Sequence, residues 1–322
     1  MKFIADFIMN MEIFKKFGSE NQEDLSYIYD YESRVLGLNL PKRDYFSRNC
    51  QYGAPFVAAN YCGIDSTNYT WVKGEWQHGW HPPEHNVHPE LVVGNTGLSR
   101  FNKLKLRYWV ARKDQADYLL SCGYKNVEAI GLPIIYLPEL EIERQKNSLL
   151  VMPVHSLSST THNWDFEQYA GEIYSIKDRF TRVIACIHPE CIQKKYWVES
   201  FMKRGIPVIS GAEIRDKNSL LRMAYLFKSF DFLTTNGFGS HLAYGSFFGA
   251  KVSIFGSLAR YSHDDFKDDF IYKNCPELLP IVLNFMTDSN LKKLYSLFFV
   301  NPWEANCYIE WGKNQPSCGA AA

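Results

Sequence analysis

The chain has no C-x-x-C pair, no run of lysine and arginine longer than two residues, no net charge and no low-complexity tract. Its eight cysteines, at 50, 62, 122, 186, 191, 275, 307 and 318, are too widely spaced for a small disulfide scaffold, so reduced thiols in a cytosolic protein are expected. Lys+Arg 35 against Asp+Glu 35 leaves no basic stripe to displace phosphate counterions, which excludes a nucleic-acid protein. No window reaches about 18 uninterrupted apolar residues, the length that spans a bilayer, so any membrane association would be peripheral. Met1 to Phe17 is apolar with a helical period but carries Asp6, Glu12, Lys15 and Lys16 and lacks the layout of a signal peptide.

What the chain does have is apolar material, 46% of 322 residues, enough for two cores of ordinary size. Short apolar runs alternate with helical stretches throughout. In the first half the runs are Tyr69-Thr70-Trp71-Val72, 106–111 and 127–130, with a helix over 113–122 closed at Gly123. The charged segment 139–147 reads as a connector and sets the boundary: an acceptor-binding domain over 1–147 and a donor-binding domain over 148–322, the final helix packing back on the first. The second half predicts strands at 149–154, 183–187, 207–210, 232–234 and 251–256. Between them it predicts helices at 164–180, 193–204, 219–229 and 240–248. Strand and helix alternating in this way imply an α/β fold with parallel sheets and right-handed crossovers.

In open parallel sheets ligands bind outside the carboxyl ends of the strands, so the loops there are the candidate site. Ser158, Ser159, Thr160 and Thr161 follow the first strand of the second half, and their hydroxyls and N–H groups are suited to phosphate oxygens at a helix N-terminus. His188 stands before Pro189, which keeps it extended and able to aim an imidazole into a cleft. Asn236, Gly237, Gly239, Ser240 and His241 combine glycines that allow close approach with the start of the next helix, where an anion is expected. In the first half, Glu75, Trp76, His78 and Trp80 suit a sugar acceptor: rings for its apolar faces, and His78 or Glu75 to take a hydroxyl proton. His81, His85 and His88, with Glu84 and Glu90, raise a metal site, but Pro82, Pro83 and Pro89 break the helical face that would gather them, and no metal is expected.

These residues resemble the two-domain, GT-B fold of nucleotide-sugar glycosyltransferases. The resemblance is narrower to the bacterial capsule and lipopolysaccharide transferases with an HP motif, the sialyl-, polysialyl- and Kdo transferases. His188-Pro189 matches that motif, and Ser158-Ser159-Thr160 or Thr234-Thr235-Asn236 stands for the later Ser/Thr motif. Ala250 occupies the proline position of the G-x-P-V segment, and no acidic-acidic-glycine motif appears in the first half. His78-Gly79 with His188-Pro189 is also similar to the teichoic-acid glycerophosphotransferases. The resemblance implies two Rossmann-like domains facing a cleft and a cytoplasmic enzyme on the inner face of the membrane. Such an enzyme transfers a sugar, Kdo or sialic acid from a CMP donor foremost, to an oligosaccharide or lipid-linked acceptor of a growing surface polysaccharide. It implies no cofactor beyond the nucleotide-sugar co-substrate. The alternatives are a CDP-polyol phosphotransferase, a nucleotide-sugar 2-epimerase and a non-catalytic glycan-assembly protein.

Overall fold

The computed structural model describes residues 26–47, 50–65, 74–77, 79–93 and 106–308. The apolar run at 69–72 lies outside them. The protein is α/β, built on two parallel sheets. The smaller holds β1 (Glu75–Trp76), β2 (Arg107–Val110) and β3 (Asn126–Ala129) in sequence order. The larger holds β4 (Gln145–Val151), β5 (Arg182–Ile187), β6 (Val208–Ser210), β7 (Phe230–Thr235) and β8 (Lys251–Ile254), ordered β6-β5-β4-β7-β8. The chain therefore winds outward from β4 through β5 to β6, then returns to the other side of β4 for β7 and β8. That reversal creates a crevice between the loops leaving β4 and β7, the position at which doubly wound sheets take ligands.

The central strands are continuous apolar runs because helices cover both faces. Leu149, Val151, Val183, Ala185 and Ile187 pack on one side with Tyr169, Ile173, Trp197 and Phe201. Leu150, Ile184, Cys186, Leu233 and Val252 pack on the other with Leu226, Phe227 and Leu242. The Ser219–Ser229 helix has the bounds its periodicity predicts. Gly123, Gly205 and Gly249 follow their helices with φ of 89°, 72° and 87°, the left-handed conformation glycine supplies at helix ends.

Three elements differ from expectation. The helix expected over 193–204 is two short ones, Pro189–Gln193 and Val198–Met202, because Trp197 turns inward. Its ring stacks on Trp164 and meets Phe166 and Tyr169 edge-on, and the backbone leaves helix geometry at Lys195 and Trp197 (φ 60° and 68°) to bury it. The next helix to the N-terminal side starts at Phe166 rather than 164, since Trp164 is a buried loop residue whose Nε1 donates to the Arg260 carbonyl, and Asp165 is the cap. β4 begins at Gln145 and so runs across the 147/148 position.

Residues from the start of the chain pack on the larger sheet. Leu36, ending the Ser26–Leu36 helix, lies in its core, and its carbonyl accepts from Gln145 Nε2 and an Arg182 guanidinium nitrogen. Below it Glu32, Arg43, Arg222 and Asp216 form a buried network of two acids and two arginines, all under 9% exposed. Leu91 packs with Cys275, Leu278 and Val282, the last two in the Leu278–Phe285 helix.

Candidate functional site

The crevice at the reversal point gathers three imidazoles from three loops. His155 follows β4, His188 follows β5, and His241 lies in the first turn of the Ser240–Phe247 helix after β7. The rings of His155 and His188 stack at 4.4 Å with 20° between planes. His155 Nδ1 lies 3.1 Å from the Ser156 carbonyl, which only an N–H can donate to, so its Nε2 carries a lone pair. His188 is the N-cap of the Pro189–Gln193 helix: its Nδ1 accepts from the Glu190 N–H at 3.3 Å, so its Nε2 carries the proton. The pair thus carries one lone pair on His155 and one N–H on His188, the latter shielded from solvent. His155 is exposed to solvent on one side and crowded by protein on the others, and that crowding holds its pKa below the usual 6.5.

Burial, with His155 nearby, lowers the His241 pKa to about 3, so this imidazole is neutral throughout the physiological range. Its Nε2 is shielded from solvent and has no hydrogen-bond partner among the described residues. Gly239 makes room for it. A Cβ there would lie 2.5 Å from His241 Cε1, although the backbone itself, at φ −172°, is open to any residue. Gly237 likewise faces Val154, whose Cγ1 would be 2.6 Å from an added Cβ. The close approach expected of these glycines is real, and it is made by the protein's own side chains.

Several residues expected to hold a donor have internal partners instead. Asn236 is buried and ties two loops together: its Oδ1 accepts from the Val154 N–H and its carbonyl from the Ala259 N–H, each at 3.0 Å. Ser159 donates to Asp269 Oδ2 at 2.6 Å, and the Thr160 hydroxyl is buried against Ser156 at 3.1 Å. Lys194 closes the same loop by donating to Ser156 Oγ at 2.9 Å and to the carbonyls of Leu157 and Thr160. Ser158 and Thr161 alone of the predicted hydroxyls are exposed. The helix N-terminus beyond them is capped by the Asp165 carboxylate, which accepts from the Gln168 N–H at 2.8 Å, so it does not await a phosphate. Pro189 is buried at the first position of its helix.

The N-terminus of the Ser240–Phe247 helix is met by the first half of the chain. Ser240 Oγ accepts from the Trp80 N–H at 2.9 Å, and a Cβ on Gly79 would lie 2.4 Å from that oxygen. Trp80 is 4% exposed, beneath the Arg112 guanidinium at 5.4 Å and beside Phe238 at 5.9 Å. Trp76 is 6% exposed, with Nε1 donating to the Gly131 carbonyl and the ring against Trp109 and Tyr136. Both tryptophans are therefore core residues, and neither offers a face to a sugar. Glu75, in β1, has its carboxyl pKa raised by burial. His78 lies outside the described residues.

The histidines at 81–88 diverge. His81 and His85 face each other with Nδ1 atoms 3.4 Å apart, and His85, its pKa lowered to about 4 by burial and by Arg112, packs on Phe285. His88 Nε2 instead faces Glu277 Oε1 at 3.8 Å. Among the described residues no group of three His, Cys, Asp or Glu is arranged to hold a metal.

One residue joins the candidate site without having been predicted. His155 was signalled by its place just after a predicted strand.

The chain matches no family model and no curated protein. It is similar to a solved structure titled "Crystal structure of GtfA/B complex", at 12% identity over 69% of this chain and 51% of that one, with a TM-score of 0.32. The chain thus spans about half the length of that structure's chain.

Proposed function

We propose that the protein is a glycosyltransferase that takes a sugar from a nucleotide-activated donor at the crevice of the larger sheet. The observation that supports this most is the complementary pair at the reversal point: His188 with a protonated Nε2 and His155 with an unprotonated one, from adjacent strands. In the reaction the acceptor oxygen bonds to the anomeric carbon as the bond from that carbon to the donor phosphate oxygen breaks. Negative charge grows on the departing phosphate and the acceptor loses its proton. His188 Nε2–H is suited to the phosphate oxygen, as a donor preorganised by its capping bond. His155 Nε2 is suited to the proton, its lowered pKa keeping it unprotonated at neutral pH. His241 contributes a neutral polar wall, and Ser158 and Thr161 the exposed hydroxyls. Imidazole and hydroxyl groups supply the stabilisation without a metal in this scheme.

The donor we favour is a CMP-sugar of the Kdo or sialic acid type, and the acceptor a glycan of a bacterial surface polysaccharide, with the enzyme in the cytoplasm. Among the described residues no helix is long and apolar enough to cross a membrane. The test is thermal shift against cytidine, uridine, guanosine and thymidine mono- and diphosphates, with release of nucleotide from the matching sugar donor as the activity readout. A ligand at about a hundred times its Kd stabilises the native state by about 2.7 kcal/mol. CMP stabilisation in the wild type that is lost in His188→Ala supports the reading. A diphosphate response redirects it to another nucleotide sugar, and no response to any nucleotide overturns it.

A further inference from the structure

The turn that follows His155 folds its oxygen atoms inward around a single ammonium. Lys194 ends the short helix that His188 begins, and it donates to Ser156 Oγ at 2.9 Å and to the carbonyls of Leu157 and Thr160. A lysine has three N–H donors and no acceptor, so one five-residue turn supplies a partner for each of them. Lys194 forms no ion pair within 4 Å among the described residues, so neutral oxygens alone receive its charge. The rest of the turn is closed on itself: the Thr160 N–H and hydroxyl both lie 3.2 Å from the Leu157 carbonyl, and the Leu157 N–H donates to the Thr160 hydroxyl at 3.0 Å. Ser156 and Thr160 are buried, and acceptors stranded there would be costly to leave without a donor.

Ser156 links this turn to the histidines. Its hydroxyl accepts from Lys194, its N–H donates to Cys191 Sγ at 3.1 Å, and its carbonyl accepts from His155 Nδ1 at 3.1 Å, the bond that fixes the His155 tautomer. Cys191 and Lys194 belong to the segment that starts at His188, so one stretch of chain carries one ring of the stacked pair and grips the residue that orients the other. A reactive group is held to its geometry by such a supporting layer.

We infer that Lys194 is a positioning residue for the histidine pair: its ammonium is the fixed cation on which the 156–160 turn is built, and through Ser156 it sets the His155 ring against His188. This rests on the reading of the pair as the working site, but the experiment uses the full chain without ligand, so the two fail separately. Lys194→Met keeps an apolar stem and removes the charge, while Lys194→Ala leaves room for a small amine. NMR of the protein labelled with ¹⁵N at histidine, with His155→Gln to assign the resonance, reads the His155 tautomer and pKa. In the wild type Nδ1 carries the proton and the pKa lies below 6.5. In both variants the Nδ1–H form should lose its dominance and the pKa should rise toward 6.5, as the turn opens and water relieves the crowding. Propylammonium should restore both signatures in Lys194→Ala, and propanol, similar in size but uncharged, should not. A lysine that served stability alone would lower the melting temperature of both variants and leave His155 unmoved. The inference is overturned if His155 keeps its tautomer and pKa in both variants, or if propylammonium does no better than propanol. A wild type that responds to no nucleotide counts against the glycosyltransferase reading and leaves the His155 result standing.

Discussion

Replacing Glu32 by glutamine tests how the start of the chain is fastened to the larger sheet. Glu32 is 3% exposed and accepts from Arg43 at 2.7 and 3.2 Å and from Arg222 at 2.9 Å, while Arg222 also lies 3.8 Å from Asp216. Two carboxylates balance two guanidinium groups. Glutamine preserves volume, so no cavity confounds the result, but it leaves one buried positive charge uncompensated. Breaking a buried pair in this way costs about 3–5 kcal/mol. At about 2–4 °C per kcal/mol for a domain of this size, the melting temperature should fall by about 6–20 °C at pH 7. The pH dependence carries a sign. Burial alone would raise the Glu32 pKa, but Arg43 and Arg222 outweigh it and hold the group below its ordinary 4.5. Its contribution is therefore complete above pH 4.5 and is lost as pH falls through the lower folded value, so the gap between wild type and variant should narrow in acid. Circular dichroism melts at pH 7 and at stepped lower values read both effects. A variant melting within about 2 °C of wild type at pH 7 would refute the reasoning, since the network would then contribute no more than a surface pair.

Gly239→Ala has no backbone cost at φ −172° but drives a Cβ to within 2.5 Å of the His241 ring; it should cost about 1–3 kcal/mol and abolish the nucleotide-induced thermal shift, and an unaltered shift would remove His241 from the site. Gly79→Ala adds the strain of φ 82° to a 2.4 Å clash with Ser240 Oγ, so it should destabilise more than Gly239→Ala in the same melts. His85 and His241, with folded pKa values near 4 and 3 against the ordinary 6.5, contribute stability that is complete above pH 6.5 and lost as pH falls toward those values. Asparagine at either position should flatten the stability profile between pH 6.5 and 4 in urea titrations. Trp197→Ala should cost about 3–5 kcal/mol by chemical denaturation, the ring being 1% exposed within its aromatic stack.

Where the candidate loops lie in the fold was legible because it depends on local pattern. Apolar runs such as 183–187 leave little choice but a strand buried on both faces, and the loop leaving its carboxyl end is then marked at once, which is why His188 and the 236–241 loop stand at strand ends as expected. Which side chains in those loops remain available was not legible. Ser159 is taken by Asp269 and Asn236 by Val154, partners 110 and 82 positions away. Trp76 and Trp80 read as a sugar platform because an aromatic suits either a core or a ligand. Their burial was decided by Tyr136, Arg112 and Phe238, which the fold alone brings to them.

By itself the sequence determined that the strands are parallel and alternate with helices, and where several helices stop, since periodicity and glycine act over a few residues. The order β6-β5-β4-β7-β8, the reversal that opens the crevice, and the break at Trp197 were decided only in three dimensions. Strand order and burial are settled by competition among distant surfaces for the same core, and the gain from burying one large ring is enough to override the helical preference of the residues around it.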